Sequence, residues 1–259
     1  MSHFNCLLLI SLLFALKSSA QQLPLPSGAY EFSMLPVVKN DAGEKRHLFN
    51  WPTKTLDNFQ VDIYTLFQDK ERTEESSDFG KEKLVLVIKG TLEISHANEK
   101  QQLTERSIAL ISKEQQAHYK NTGADNAIFY VIQWDSGNLN DAAYENSWTF
   151  IYDEMEFKSN VKGGRRDVME APTKTLSELE MHITTLLEGE KSHDPHVHPD
   201  EEIIVVLQGE VEEMINGTPY RLGPGSMIFL SAMDPHGIRN IGKGTCEYYA
   251  IRWTTDKDG

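Results

Sequence analysis

The sequence predicts an all-β chain built from two tandem barrel-like units, and three observations carry that expectation. First, the apolar runs are short, β-branched or aromatic, and bounded by turn residues: residues 59–64, 84–88, 107–111 and 127–134, then 179–187, 203–207, 211–215, 226–230 and 247–253. Second, no long amphipathic helix lies between them, so the strands have no helical layer to pack on and must form a sandwich or barrel. Third, the chain repeats itself. Pro52-Thr53-Lys54-Thr55-Leu56 recurs letter for letter as Pro172-Thr173-Lys174-Thr175-Leu176.

The repeat extends both ways from that pentapeptide. Upstream, Gly43 and Arg46 match Gly163 and Arg166; downstream, residues 85–90 match 204–209 and residues 130–134 echo 249–253. The offset stays between 118 (His118 to His236) and 120 (Pro52 to Pro172). A unit of that length is a duplicated domain, since solenoid repeats are far shorter. The expected boundaries are 1–20 for a signal peptide, 21–140 for the first unit and 141–259 for the second, parted by a polar stretch that begins at Asp135-Ser136-Gly137-Asn138.

Bulk properties narrow the function. The 259 residues are 39% hydrophobic, which suits a globular chain. A formal charge of −14 opposes binding to nucleic acid or an anionic membrane through bulk electrostatics. Residues 6–16 are apolar and are followed by Ser18-Ser19-Ala20, small residues at the −3 and −1 positions of a cleavage site. Secretion or export to a periplasm is the expectation, with no membrane contact once the signal is cleaved. Cleavage after Ala20 removes Lys17 and no acid, taking the charge from −14 to −15 and leaving Cys246 as the one cysteine, so no internal disulfide is expected. With no neighbouring base in sequence, Cys246 reads as a packed residue rather than a nucleophile. Asn216-Gly217-Thr218 is a glycosylation sequon in letters, but Asn-Gly between two strand-like runs reads as a hairpin turn.

Chemistry concentrates in residues 189–209. His196 and His198 stand at i and i+2, so in a strand both point the same way, and Glu202 follows four residues later. His236 arrives one hairpin later, and closing the sheet brings it opposite the other three. Neutral imidazoles with one carboxylate are the donor set a divalent transition metal prefers, and four protein ligands leave coordination positions free on an octahedral ion. The expected ligands are therefore His196, His198, Glu202 and His236, for one ion of iron, manganese, nickel or zinc. Glu201, one position out of phase with Glu202, is expected to face solvent. Asp194 and Asp200 fit two roles equally, orienting an imidazole or simply solvating a loop. His182, Thr184, Met227, Phe229, Tyr249, Ile251, Arg252 and Trp253 lie on strands that could line the site, although ordinary packing is the simpler expectation for each.

Those spacings resemble the cupin superfamily. Gly189, His196-x-His198, Glu202, six residues and Gly209 look like its first motif; Gly225, five residues, Ser231, then His236, three residues and Asn240 look like its second. Two such units resemble a bicupin, which implies two tandem cupin-type jelly-roll barrels with the metal inside one of them. The pattern departs from the family at three points: one extra residue between Gly189 and His196, and Ser231 and Met233 where Pro and Gly are usual. In the first unit the ligand positions, counted back from Gly90, hold Ser77, Phe79 and Lys83, and only His118 has a counterpart among the ligands. That unit is expected to be metal-free, with His118 a relic hydrogen-bonded in the core.

The resemblance implies a metal-dependent enzyme of dioxygenase, lyase, decarboxylase or isomerase type, acting on a small oxygen-rich molecule. Other readings are a non-catalytic barrel that binds a carbohydrate or similar ligand, and a hydrolase resembling ureidoglycine aminohydrolase, whose glutamate-first pattern differs from the His-x-His order here. The partner in each case is a small molecule, with homodimerisation left open.

Overall fold

The computed structural model describes residues 22–74, 80–96, 99–113, 115–137, 139 and 147–257. The signal-peptide segment, Ser77, Phe79 and most of the 136–146 stretch lie outside the described residues. The first half contains β1 (Gly28–Tyr30), β2 (Val38–Asn40), β3 (Gly43–Trp51), β4 (Asn58–Leu66), β5 (Glu71–Thr73), β6 (Glu82–Lys89), β7 (Leu92–His96), β8 (Glu99–Leu103), β9 (Ile108–Ile111), β10 (Ala117–Asn121) and β11 (Ala127–Asp135). The second contains β12 (Trp148–Phe150), β13 (Lys158–Asn160), β14 (Gly163–Ala171), β15 (Glu178–Leu186), β16 (Glu201–Gln208), β17 (Val211–Ile215), β18 (Thr218–Leu222), β19 (Met227–Leu230), β20 (His236–Asn240) and β21 (Cys246–Thr254). Among the described residues the only helical elements are single 3-10 turns at Phe32–Met34 and Tyr152–Glu154, and no helix is long and apolar enough to cross a membrane.

The strands form two jelly-roll barrels. One joins the sheet β12-β9-β6-β11-β4-β3-β2 to the sheet β5-β10-β7-β8; the other joins β1-β19-β16-β21-β15-β14-β13 to β18-β17-β20. Two short strands change sides. β1 pairs with β19 of the second barrel, Gly28 opposite Phe229, while β12 pairs with β9 of the first, Trp148 opposite Leu110. A cut at 140/141 therefore divides the sequence but not the sheets, because each barrel borrows an edge strand from the other half.

Alternation along the strands sorts the core into three clusters. Tyr64, Leu66, Val85 and Val87 fill the first barrel, and Ile204, Val206, Ile228 and Leu230 fill the second. The opposite phase, including Phe59, Ile63, Leu84, Trp134, Ile203, Val205, Ile251 and Trp253, forms one cluster shared by both barrels. Phe59 meets Trp253 at 5.2 Å and Phe229 at 5.9 Å between ring centroids, so aromatic packing knits the halves together.

The repeated letters have structural causes. A Cβ at Gly43 would sit 1.8 Å from the Thr65 carbonyl oxygen, and one at Gly163 2.2 Å from that of Thr185, so only glycine allows this approach of the strands. Arg46 stacks over Phe32 and Arg166 over Tyr152, each at 4.5 Å, just beyond the exchanged strands. Asn216 and Gly217 have φ of 50° and 80°, as a two-residue hairpin between β17 and β18 requires.

Candidate metal centre

The C-terminal barrel brings three of the predicted side chains into one cluster, with Glu202 beside it. The ligand atoms of His196, His198 and His236 all lie within 4.8 Å of one another. Glu202 Oε2 is 3.2 Å from His198 Nε2 and 3.6 Å from His236 Nε2. Glu202 and His236 sit on β16 and β20, whereas His196 and His198 sit on the loop before β16 rather than on a strand. That loop is fixed to β20 by two bridges, Lys191 to Arg239 and His196 to His236; in the second, the His196 and His236 amides each donate to the other's carbonyl at 3.0 Å. Backbone pairing thus does for the loop what strand alternation was expected to do.

The imidazoles are oriented by main-chain carbonyls. His198 Nδ1 lies 3.0 Å from the Asp200 oxygen and His236 Nδ1 2.8 Å from the Asp234 oxygen, which assigns the proton to Nδ1 and turns each Nε2 toward Glu202. So it is the backbone of Asp200 that orients a ligand; its carboxylate lies 3.5 Å from Arg252. Asp194 pairs with Lys191 at the surface. Burial opposes charge on Glu202, yet the His198 hydrogen bond and the nearby His236 ring hold its carboxyl down to about 2. Burial lowers His196, favouring the neutral imidazole, while its hydrogen bond to the Glu202 carboxylate raises His198.

These donors fit a metal. Imidazole nitrogens about 2.1 Å from one ion are at most about 4.2 Å apart, so loading would draw the widest-spaced rings together by about half an ångström or more. His236 Nε2 is buried with no hydrogen-bond partner among the described residues. A lone pair left bare inside a protein is costly unless something binds it.

The centre opens into a cavity of about 250 Å³ whose walls include His182, Thr184, Glu213, Tyr248 and Arg252. Glu213 is fully buried; burial first, and then the Glu202 charge, push its carboxyl up to about 8 against the pull of the Gly237 amide at 2.9 Å. Glu213 Oε2, His182 Nδ1 and Tyr248 Oη are buried without hydrogen-bond partners among the described residues. Burial lowers His182. At the rim, Glu180 is held between Arg165 (3.0 Å) and Arg252.

Residues 182–252 match the cupin domain family. The fold is similar to that of protein Ylba from E. coli (TM-score 0.71, 14% identity, 91% of this chain and 94% of that one). It is also similar to that of oxalate decarboxylase from Lactobacillus farciminis in complex with formate (TM-score 0.69, 10% identity, 88% and 86%). The C-terminal barrel therefore carries a cupin domain, and the chain as a whole has the two-barrel bicupin fold. A shorter likeness, 43% identity over 49 residues, links it to the dimethylsulfoniopropionate lyase DddQ of Ruegeria pomeroyi. That match spans 18% of this chain and 24% of the lyase.

Several expectations for the bicupin need correction. Glu201 does face away from Glu202, but the face it joins is covered by the other barrel: it is wholly buried and accepts hydrogen bonds from Thr53, Lys54 and Thr55. His118 is not the counterpart of His236. Asn121 and Asn240 make matching bonds, to the Leu66 and Leu186 oxygens respectively, so 240 − 121 = 119 is the local offset and Ala117 stands at the ligand position. Shifted by one residue, His118 turns to the barrel's rim, where it meets Thr73 at 3.0 Å and Glu71 at 3.5 Å.

Inside the bicupin's first barrel, Glu74 pairs with Ala117 through its amide as His196 does with His236, and Lys83 occupies the place of Glu202. Lys83 Nζ lies 2.6 Å from Glu74 Oε2, and both side chains are buried. Where one barrel gathers imidazoles around a carboxylate, the other closes on an ion pair. Of the suggested lining residues, His182, Thr184 and Arg252 do face the cavity; Met227, Phe229, Tyr249, Ile251 and Trp253 pack between the barrels instead. Glu213, Tyr248 and His193, whose ring lies 4.0 Å from that of His196, were missed. Alternation offered a signal for two of them: Glu213 shares a face with Val211 and Ile215, and Tyr248 with Arg252. Cys246 is buried and free, its thiol pushed up to about 11 by burial, as a packed residue should be.

Proposed function

We propose that the C-terminal barrel is a metal-dependent active site, with His196, His198, His236 and Glu202 holding one divalent transition metal and the adjoining cavity taking a small oxygen-rich molecule. The observation that carries this reading is the convergence of three imidazoles and a carboxylate on a cavity where the buried His236 Nε2 has no hydrogen-bond partner among the described residues. The ion would polarise a carbonyl or carboxylate oxygen of the bound molecule. The chain's own groups do the rest. Glu213, raised to about 8, holds a proton at neutral pH and can exchange it at Oε2; Tyr248 and His182 offer polar atoms that orient the molecule; Arg165 and Arg252 supply positive charge at the rim. Among the reaction types open to such a site, the likeness to a dimethylsulfoniopropionate lyase and to an oxalate decarboxylase supports the lyase and decarboxylase branch over dioxygenation. We further propose that the protein acts outside the cytoplasm, secreted or periplasmic, on the strength of its N-terminal sequence.

Elemental analysis tests the site. The purified chain is expected to carry about one metal per molecule, and His196→Ala and His198→Ala to lose it. Full metal retained by both variants would refute the assignment. Oxygen uptake across catechols, flavonoids and keto acids separates the branches: consumption stoichiometric with turnover would restore the dioxygenase reading.

A further inference from the structure

The repeated Pro-Thr-Lys-Thr-Leu pentapeptide has a use that the reaction chemistry leaves unexplained. Glu201 Oε2 accepts from the hydroxyls of Thr53 and Thr55, both at 2.5 Å, and Oε1 from the Lys54 amide at 3.0 Å. Thr55 Oγ1 in turn accepts from Trp253 Nε1 at 3.1 Å, and Trp253 is the register partner of Glu201 on β21. One pentapeptide of the N-terminal barrel therefore pins two neighbouring strands of the other barrel at the point where β16 leaves its loop. We propose that Thr53 and Thr55 are positioning residues for the metal centre, fixing Glu201 and through it the adjoining ligand Glu202. The inference rests on the metal assignment above.

The physical step is strand alternation. Consecutive side chains point to opposite faces, so β16 cannot roll at Glu201 without swinging Glu202 out of the ligand set. Glu201 is the first residue of β16, where a strand is otherwise free to fray. Strong hydrogen bonds to a buried carboxylate remove that freedom. The same half of the chain braces the second ligand turn. Ser27 Oγ donates to Asp234 at 2.6 Å and accepts from the Ser231 amide at 2.7 Å, and Lys54 Nζ reaches the Ala232 oxygen at 2.5 Å. Asp234 is the residue whose carbonyl orients His236, and the Met233 amide donates to the His198 oxygen at 2.9 Å. Met233 holds φ at 67°, a conformation that favours glycine, so this turn profits from an outside brace.

Duplication supplies an internal control. Glu82 is gripped the same way, by Thr173 (2.7 Å), the Lys174 amide (3.0 Å) and Thr175 (2.5 Å), with Trp134 Nε1 on Thr175 at 3.0 Å. The residue after Glu82 is Lys83, already paired with Glu74, so this second grip adjoins no ligand. A purely structural role would make the two grips equivalent; a positioning role would not.

The test uses the full chain with manganese(II) or zinc(II) alone as the probe, titrated in competition with a chelator, and records the absorption spectrum of the cobalt(II)-loaded protein. Thr53→Val/Thr55→Val is expected to weaken metal binding about tenfold or more and to shift the cobalt bands, the range seen when groups behind metal ligands are removed. Thr173→Val/Thr175→Val should lower thermal stability comparably yet leave affinity within about twofold, and Thr53→Ser/Thr55→Ser should restore both readouts. If the double variant fails to fold, Thr53→Val against Thr173→Val makes the same comparison. Equal shifts from both grips, or no shift from the first, would overturn the coupling alone. A wild-type chain that takes up no metal would overturn the metal assignment and the coupling with it.

Discussion

Replacing Lys83 with methionine removes the ammonium group from the N-terminal barrel while keeping most of its volume. The side chains of Lys83 and Glu74 are 0% and 1% exposed, so the carboxylate left behind cannot turn to water. It keeps two neutral donors, the Ala117 amide at 2.9 Å and the Tyr119 hydroxyl, but loses its countercharge. Breaking one side of a buried pair costs about 3–5 kcal/mol, and the surviving hydrogen bonds favour the lower end, about 3 kcal/mol. For a chain of this size each kcal/mol moves the midpoint by roughly 2–4 °C, which gives a loss of about 6–12 °C. Adding Glu74→Gln should recover most of it, because the amide oxygen still accepts from Ala117 while no charge remains to be buried. Equilibrium unfolding in urea of the wild type, both single variants and the double variant closes a mutant cycle, with an expected coupling of about 2 kcal/mol or more. If Lys83→Met costs under about 1 kcal/mol, or the two changes simply add, then the pair is not what fills this barrel.

Two further outcomes follow from the second barrel and the N-terminus. Glu213 has a folded pKa of about 8 against an ordinary 4.5, so between those values the native state keeps a proton that the unfolded chain has released. Its favourable contribution is complete below about pH 4.5 and is lost as pH rises to about 8. At about 1.4 kcal/mol per pH unit, metal-free wild type should lose up to about 5 kcal/mol more over that window than Glu213→Gln, and identical urea midpoints for the two across it would refute the assignment. Expression with its own leader in a secreting host should yield a chain whose first residue is Gln21, read by intact mass; recovery beginning at Met1 would refute the signal peptide.

Much of this was legible in the letters because duplication lets the chain serve as its own alignment. Repetition of the pentapeptide and of residues 85–90 as 204–209 placed the two barrels, and the spacing of His196, His198, Glu202 and His236 selected side chains that the fold does gather. What escaped depended on a second surface or on single-residue register. Alternation correctly put Glu201 opposite Glu202, but no pattern within one strand says whether the far face meets water or another barrel. A count from His118 to His236 looks right in sequence, yet the local offset of 119 places Ala117 there, and a one-residue slip in a strand changes the face. Exchange of β1 and β12 was likewise hidden, since three-residue edge strands carry no periodicity.

The same reasoning explains how one barrel can lack the imidazole cluster and keep the same form. Near the position of Glu202 the second barrel holds an anionic carboxylate among imidazoles, an arrangement that invites a cation from solution. At the equivalent position the first barrel carries Lys83, a cation tethered to the chain, and Glu74 stands at the place of His196 to balance it. Tyr119 and the Ala117 amide complete the carboxylate's hydrogen bonds, so neither Glu74 nor Lys83 keeps a buried polar side-chain atom without a partner. Both interiors thus solve one electrostatic problem, a buried carboxylate in need of positive charge. A fixed ammonium makes a scaffold; imidazoles and a carboxylate that, on the proposed function, recruit their cation would make a site whose chemistry varies with the ion held.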